Sequence, residues 1–298
     1  MISRNLRNAA AVIGALGTFA MAAPAAAQGC TREGLEEFAA GYVKAHEEGS
    51  IISNLPLGEW TVVRENGSMS SMSTGFLSTP RKVAWHMSLV DPMQCRVFVE
   101  AVSLDPEPYV TGGYFSDGYF GVGDINIVTS TTGDWLFDAE KTYEYARRED
   151  WGVVPEAQRS TREQLMAAAN AYLDMFKDNS VDVPWGTPCR RLEGGVYTGR
   201  GEDTDSCNVG VPEGIDLVKR QYIVDEEKSA VAVFLRFGGD DGLADVHTFR
   251  VIDGKITNIH TITNCGGENN CGFGSFEEMV AKNPAMQPDP ALFGAPRD

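Results

Sequence analysis

Two stretches of alternating apolar and polar residues near the end of the chain predict a β-hairpin. The first arm covers Val246–Ile252, and the second covers Lys255–Asn264. The intervening Asp253-Gly254 is typical of a two-residue hairpin turn, because both of its central positions favour positive φ angles. The hairpin therefore gives a fixed frame in which to place the polar residues of both arms.

Alternation assigns the polar residues of the hairpin to faces. Asp245, His247 and Phe249 are expected on one face of the first arm, because successive side chains of a strand point to opposite sides. Asn258 and His260 are expected together on one face of the second arm. If these faces are buried, a carboxylate and two imidazoles point into an apolar interior, which is typical of a binding or catalytic pocket.

The body of the chain repeats one pattern twice at an offset near 130 residues. Thr31-Arg-Glu-Gly-Leu35 recurs as Thr161-Arg-Glu-Gln-Leu165, and each opens an amphipathic helix with its threonine as the predicted N-cap. Further matches follow in the same order, down to Gly123-Asp-Ile125 and Gly254-Lys-Ile256. A collinear series of this kind indicates a duplication.

Each copy is predicted to hold several strands after its helix. In the first copy these are Trp60–Glu65, Lys82–Leu89, Arg96–Leu104, Tyr109–Phe115 and Asp124–Thr131. In the second copy they are Arg190–Tyr197, Arg220–Asp225, Ala230–Phe237 and the two hairpin arms. Antiparallel strands after an N-terminal helix predict an α+β domain whose helices cover one face of a curved sheet.

The motif Phe249-Arg-Val-Ile-Asp-Gly-Lys-Ile256 resembles the nuclear-transport-factor-2-like (NTF2-like), or SnoaL-like, superfamily, and the second copy as a whole fits that pattern. Pro184–Gly195 is also similar to exported tandem proteins with a Pro-Trp-Gly-x-Pro-Cys…Glu-Gly-Gly segment. The resemblance implies two cone-shaped α+β barrels, each with a pocket between sheet and helices. It implies no single reaction, because the superfamily includes isomerases, cyclases, dehydratases and non-catalytic binding domains.

The repeat and the resemblance together predict five segments. The first domain, which is degenerate, covers 28–134, and the second covers 161–271. An aromatic, partly helical linker over 135–160 is expected to pack against both domains. Residues 1–27 are predicted to be a signal peptide and 272–298 an extended tail.

The predicted leader bears on localisation and charge. It has a basic start, an apolar stretch and the small-residue end Ala25-Ala26-Ala27, so the mature protein is expected to be secreted or periplasmic. Removing Arg4 and Arg7 with the leader changes the formal charge from −17 to −19. So acidic a chain disfavours nucleic acid and anionic membrane as partners. The expected partner is a small-molecule ligand, and the chain is expected to be a monomer or homodimer.

An even number of cysteines in an exported chain predicts disulfides. Six cysteines follow the leader and allow fifteen pairings if all of them are used, among which Cys30 with Cys95 and Cys189 with Cys207 are two candidate pairs. A structural zinc site is disfavoured, because Cys265 and Cys271 have no second cysteine pair or cysteine-histidine cluster beside them.

The polar residues of the second copy suggest acid–base chemistry without a cofactor. His247 is the predicted base, oriented by Asp245, and His260 or Tyr197 is the predicted acid. Glu193 is a further candidate for catalysis. Alternation places it on the same strand face as Arg191 and Tyr197. Arg191, Phe249 and Asn258 are predicted to contact the ligand.

The same residues suggest two alternatives to this enzyme. Asp245, His247 and His260 have the composition of a non-haem iron site, but the jelly-roll barrel that usually holds it lacks a long leading helix, so no metal is predicted. The second pocket could also hold a molecule without reacting with it. The preferred function is an isomerase, lyase or dehydratase acting on a small apolar or aromatic molecule.

The first copy is expected to be structural, with Gly112 near the position of His247 and Trp85, Tyr114 and Phe115 filling its pocket.

Overall fold

The computed structural model describes residues 30–118, 121–198, 202–208 and 211–274, together with Glu278 and Ala281. The predicted leader over 1–27 lies outside these residues, as does most of the predicted tail beyond residue 271. Among the described ranges, no helix is both long enough and apolar enough to cross a membrane.

The first domain opens with a long helix and continues into six strands. Helix α1 (Arg32–Glu48) begins after Thr31, whose side chain accepts a hydrogen bond from the backbone N–H of Gly34, as predicted for an N-cap. A short helix α2 (Ile51–Asn54) follows. The strands are β1 (Leu57–Glu65), β2 (Ser68–Met69), β3 (Val83–Asp91), β4 (Arg96–Ser103), β5 (Tyr109–Gly118) and β6 (Gly121–Ser130).

The second domain repeats this order after helix α3 (Ala139–Ala146) of the linker. Helix α4 (Arg162–Met175) carries a complete capping box between Thr161 and Gln164. The strands are β7 (Trp185–Glu193), β8 (Val196–Tyr197), β9 (Leu217–Asp225), β10 (Ala230–Phe237), β11 (Leu243–Ile252) and β12 (Lys255–Asn264). The prediction of two α+β domains is confirmed, and β10 and β12 have the predicted bounds.

Both sheets have the same topology. The strand orders are β2-β1-β6-β5-β4-β3 and β8-β7-β12-β11-β10-β9. The pairs β1–β6 and β7–β12 are parallel, and the other neighbours are antiparallel. The turn at Asp253 and Gly254 has φ angles of 50° and 72°, which is the backbone that the predicted hairpin turn requires.

The two domains pack sheet against sheet, with a helix on each outer side. Helix α1 covers one face of the first sheet, and α4 covers one face of the second. The remaining faces form a third core between the sheets, to which Phe98 and Tyr114 contribute from one domain and Phe234 and Val246 from the other. Each sheet is therefore buried on both sides, which explains its many apolar positions.

A β-bulge in β12 overturns one of the predicted faces. Arg250 pairs with Asn258, but the next residue, Val251, pairs with Ile256, so Thr257 is an extra residue in the strand. Ile256 therefore packs against the helix side, whereas Asn258 and His260 point to the opposite face, between the sheets. The expectation that His247 and His260 share an interior is wrong, because strict alternation does not continue through a bulge.

A reciprocal pair of ion bridges joins the two domains. Arg32, at the start of α1, contacts Asp225 at the end of β9, and Arg162, at the start of α4, contacts Asp91 at the end of β3 at 2.8 Å. Asp91 and Asp225 are equivalent in the repeat, and both are fully buried. Each also accepts a backbone N–H from the other domain, at 3.1 Å from Val224 and Val90 respectively.

Three disulfides complete the fold. Cys30–Cys95 and Cys189–Cys207 confirm the predicted pairs, and Cys265–Cys271 closes a loop directly after β12. None of the six cysteines is free. Three disulfides fit an oxidising, extracellular environment.

The reciprocal bridges lead to a stability prediction. We expect Asp91→Asn and Asp225→Asn each to lower the free energy of unfolding by about 3 kcal/mol, because removing one partner of a buried pair leaves the other charge uncompensated. Asp124→Asn is the control, since the Arg64–Asp124 pair is nearly half exposed and should contribute less than about 1 kcal/mol. Urea denaturation measures all three. Equal losses in the three variants would contradict the assignment.

Candidate functional site

The interior between α4 and the second sheet contains a cluster of polar side chains. Strand β7 supplies Arg191 and Glu193, and β11 supplies Asp245 and His247. In the sheet register Glu193 and His247 both lie opposite Thr261, so the three side chains share one face. This face is the helix side, so Arg191, Glu193, Asp245 and His247 lie in the same interior.

His247 and Asp245 form the buried centre of the cluster. The Nδ1 atom of His247 lies 2.9 Å from an Asp245 carboxylate oxygen, and the two side chains are 2% and 0% exposed. The alignment of these atoms falls outside hydrogen-bond geometry. Thr263 donates to the other oxygen of Asp245 at 2.9 Å. Asp245 therefore fixes one side of the imidazole, which leaves Nε2 as the atom able to exchange a proton.

Aromatic rings enclose the imidazole. The ring centroids of Tyr172, Phe176 and Phe249 lie 5.6, 6.1 and 6.1 Å from that of His247. Burial raises the pKa of Tyr172 to about 12, so at neutral pH its hydroxyl can donate a hydrogen bond. Tyr172 is a candidate that the site prediction did not include, although its match to Tyr42 in the repeat marks a position facing the interior of each domain.

Arg191 connects the tyrosine to the carboxylate at the edge of the cluster. Its guanidinium lies 3.3 Å from the Tyr172 hydroxyl and 3.1 Å from a Glu193 oxygen, and Trp135 of the linker donates to Glu193 at 2.9 Å. Burial lowers the pKa of Arg191, but the Tyr172 and Glu193 side chains outweigh this effect and raise it. The guanidinium therefore stays charged inside the domain.

Several polar atoms of this cluster lack a partner. Among the described residues, nine buried side-chain atoms have no hydrogen bond, and four of them lie here. Two of the four, Asp245 Oδ2 and His247 Nδ1, face each other at 2.9 Å. The other two, Arg191 Nε and Thr261 Oγ1, are suited to contact a polar molecule, because an unsatisfied buried polar group costs about 1–3 kcal/mol.

His260 belongs to a different cluster between the domains. Its two ring nitrogens lie 2.8 Å from Glu100 of β4 and 2.6 Å from Glu149 of the linker. Tyr197 donates to Glu149 at 2.9 Å, and Asn258 also bonds to Glu149. Thus three residues that the sequence placed in the second pocket, His260, Tyr197 and Asn258, lie outside it. In the sequence, this buried ionic cluster is indicated only by Glu100, a carboxylate within the apolar run of β4.

Tyr197 lies outside the helix-side interior because a turn precedes it in the chain. The predicted strand Arg190–Tyr197 is interrupted by a turn at Gly194 and Gly195, so β7 and β8 form a hairpin in which Tyr197 lies opposite Leu192. The hydroxyl group therefore points to the same side as His260, and the ring stacks on Tyr145 at 4.5 Å. Alternation counted along one strand does not apply across such a turn.

The charge state of His260 follows from its partners. Burial lowers the pKa of His260, but the carboxylates of Glu100 and Glu149 outweigh it and raise the pKa to about 10. Burial raises the pKa of Glu149, yet contact with His260, Tyr197 and Asn258 outweighs that and lowers it. His260 is therefore held as an imidazolium between acidic groups, which suits a structural cation better than a base.

The corresponding interior of the first domain is different. The sheet registers place Val63, Thr111, Gly113 and Ile127 where the second domain has Arg191, Asp245, His247 and Thr261. The glycine at the histidine position is thus Gly113 rather than Gly112. A Cβ atom there would meet the Tyr42 hydroxyl at 2.2 Å, so the tyrosine fills this space.

Two expectations for the first domain need correction. Phe115 lies in its interior as expected, but Trp85 and Tyr114 pack between the sheets. The interior also contains an imidazole, that of His46 of α1, whose Nδ1 lies 2.8 Å from the Tyr109 hydroxyl. Burial and Arg81 lower the pKa of His46 to about 3, so it is neutral and has no carboxylate to orient it.

Comparison with known sequences concerns the second domain alone. Residues 158–263 match the model of a family described as a domain of unknown function (DUF8021). The matched range contains Arg191, Glu193, Asp245 and His247, and it includes no residue of the first domain. No curated protein matches the chain.

The raised pKa of His260 predicts how stability depends on pH. A group whose pKa is higher in the folded state stabilises that state, and its contribution is complete at pH values below its unfolded-state pKa. For His260 the unfolded-state pKa is near 6.5, and the contribution is lost as the pH rises through the folded-state pKa of about 10. We therefore expect the free energy of unfolding to fall between pH 6.5 and 10, and to fall less in His260→Gln. Urea denaturation across this range measures it, with exposed His86→Gln as control. An unchanged slope in His260→Gln would refute the assignment.

Proposed function

We propose that the protein is an exported member of the NTF2-like, or SnoaL-like, superfamily whose second domain carries out acid–base chemistry on a small apolar or aromatic molecule. Two observations support the fold assignment. In each domain a long helix precedes a six-stranded sheet, and the first strand of that sheet runs parallel to the last. One face of each sheet packs on that helix, where this superfamily keeps its pocket.

The buried His247–Asp245 pair is the observation that carries the proposal. An imidazole that faces a carboxylate on one nitrogen and aromatic rings elsewhere can accept a proton through its other nitrogen. Asp245 stabilises the imidazolium that forms. The proposed proton transfer between carbon and this imidazole calls for no metal or cofactor.

Tyr172 and Arg191 supply the complementary groups. As a proton is removed next to a carbonyl group, negative charge builds on the carbonyl oxygen, and a donor placed there lowers the barrier. The Tyr172 hydroxyl, beside the Arg191 guanidinium, is such a donor. Tyr172 takes the role of acid that the sequence suggested for His260 or Tyr197. The proposed reaction class is proton transfer next to a carbonyl, as in isomerisation or elimination.

A non-catalytic role is the second candidate. His247, Asp245, Tyr172 and Arg191 are each at most 4% exposed, which fits a site that encloses a ligand. A binding protein would use the same contacts without proton transfer. The two functions differ in whether the bound molecule exchanges hydrogen with solvent.

The proposal predicts the behaviour of His247→Gln. In a thermal-shift screen of small aromatic and alicyclic carbonyl compounds, we expect some to raise the melting temperature, since a ligand at 100 times its Kd adds about 2.7 kcal/mol. In D2O, deuterium should enter such a compound next to its carbonyl. His247→Gln should slow this incorporation by about 10²–10⁴-fold, because it removes the base. NMR measures the incorporation.

His86→Gln is the matched control, because this histidine lies exposed on the first domain. It should leave both binding and deuterium incorporation unchanged. Binding without incorporation in the wild-type protein would favour the non-catalytic role. Stabilisation that survives both His247→Gln and Arg191→Gln would place the ligand outside this interior.

A further inference from the structure

The interface between the sheets contains two grooves that the duplication makes equivalent. One is lined by Glu100, Val110, Leu192, His260 and Ile262. The other is lined by the residues at the equivalent positions of the sheet registers: Phe234, Ala244, Arg64, Asn126 and Val128. We call the first the linker groove and the second the open groove.

The two grooves differ in how much space they leave. Trp135, Phe137 and Thr142 of the linker cover the linker groove, and the cavity that remains there measures about 10 Å³. The open groove has a cavity of about 260 Å³, and its lining residues belong to the strands of both sheets and to the turn at Gly67. Because one water molecule takes about 30 Å³ in the liquid, this cavity has room for a small organic molecule.

Three cationic side chains line the open groove, although the chain as a whole has a formal charge of −17. They are those of Arg64, Lys219 and Arg236. The residues at the equivalent places in the other half are all apolar: Leu192, Trp85 and Val102. The open groove therefore has a positive charge that its counterpart lacks, and positive charge attracts anions.

Arg236 is held in the open groove by backbone groups. Its guanidinium donates to the carbonyl groups of Gly67 and Gly242 at 3.2 and 3.3 Å, and within the described part of the chain no carboxylate lies at ion-pair distance from it. Gly67 has a φ angle of 81°, and a Cβ atom there would collide with the guanidinium. The turn thus leaves room for a cation whose charge no neighbouring carboxylate compensates, and its remaining N–H groups can bind an anion.

Lys219 reaches the same groove from a β-bulge. Strand β9 has one extra residue opposite Leu235, and the φ angle of Lys219 is 55°. Bulges are known to re-aim side chains next to functional sites. Lys219 and Arg64 have carboxylate neighbours in Asp240 and Asp124, but these four side chains are 43% to 78% exposed. Because exposed ion pairs contribute little, a ligand can compete with these carboxylates at low cost.

Apolar side chains complete the lining of the open groove. They are those of Phe234, Val128 and Ala244, and Phe234 lies on the side of the second sheet that faces away from α4. We propose that the open groove binds a small organic carboxylate, with its apolar body on Phe234 and Val128 and its charge on Arg236 and Lys219. An arginine and a carboxylate form charge-assisted hydrogen bonds, and burial of the apolar body removes its surface from water. This site is separate from the interior that contains His247, so it does not depend on the proposed acid–base chemistry.

Methyl NMR on the full mature chain, with phenylacetate as the probe, tests the proposal. We expect the methyl signals of Val128 and Ala244 to shift saturably, with a Kd of about 1 mM for a ligand of this size. Phenylacetamide, the uncharged analogue, should bind at least about 10-fold more weakly, because it loses the charge-assisted hydrogen bonds. The comparison of the two probes needs no variant, so it holds even if a substitution disturbs the fold.

Arg236→Gln and Lys219→Gln should each weaken the binding of phenylacetate at least about 3-fold, since each removes one cation from the groove. Lys44→Gln is the matched control, because it removes the same charge from an exposed position on α1, and it should leave the Kd unchanged. Equal effects of the three substitutions would overturn the proposal, as would equal binding of the two probes.

The signals that move show where the probe binds. Shifts confined to Val251, in the helix-side interior, would overturn the proposal, because the probe would then occupy the other site of the second domain. Unchanged signals of Val128 and Ala244 would overturn it as well. A dimer in light scattering that Arg236→Gln dissociates would do the same, since a second copy would then occupy the groove.

Discussion

The packing of the two sheets against each other is the constraint on which the rest of the structure depends. It buries the face of each sheet that is not covered by a helix, so both faces of every central strand need a partner. Polar residues on these strands are therefore either paired across the interface or enclosed in a domain. His260 meets the first condition through Glu100 and Glu149, whereas Asp245 and His247 meet the second.

The interface is arranged like that of a twofold-symmetric dimer whose two subunits have been joined into one chain. In such a dimer, when residue i of the first subunit contacts residue j of the second, residue j of the first also contacts residue i of the second. The Arg32–Asp225 and Arg162–Asp91 bridges satisfy this rule. Because both halves belong to one chain, a residue in one half can differ from the residue at the equivalent position in the other. Glu100 and Phe234 are such a pair of equivalent positions. The interface can thus keep a buried ionic cluster on one side and an apolar, basic groove on the other.

The sequence predicted well whatever depends on local residue preferences. Both threonine N-caps, the hairpin turn and most strands follow from the chemistry of short segments. It failed where one backbone residue changes the geometry of those that follow. The bulge at Thr257 turns His260 away from His247, and the turn at Gly194 turns Tyr197 away from Glu193. The sheet-to-sheet contact could not be predicted, because apolar residues on both strand faces specify burial but not the partner.

The observed positions of the two histidines change which residues can take part in the proposed reaction. The bulge places His260 outside the second interior and so removes one predicted acid, but Tyr172, which Arg191 contacts, packs against His247 on the helix side. A charged imidazolium between two carboxylates would be a poor base, since its raised pKa keeps the proton bound at neutral pH. The histidine on the helix side has one carboxylate and aromatic neighbours. The two histidines thus differ in setting: His260 joins the domains between two carboxylates, whereas His247, on which the proposed proton transfer depends, faces one carboxylate within the second domain.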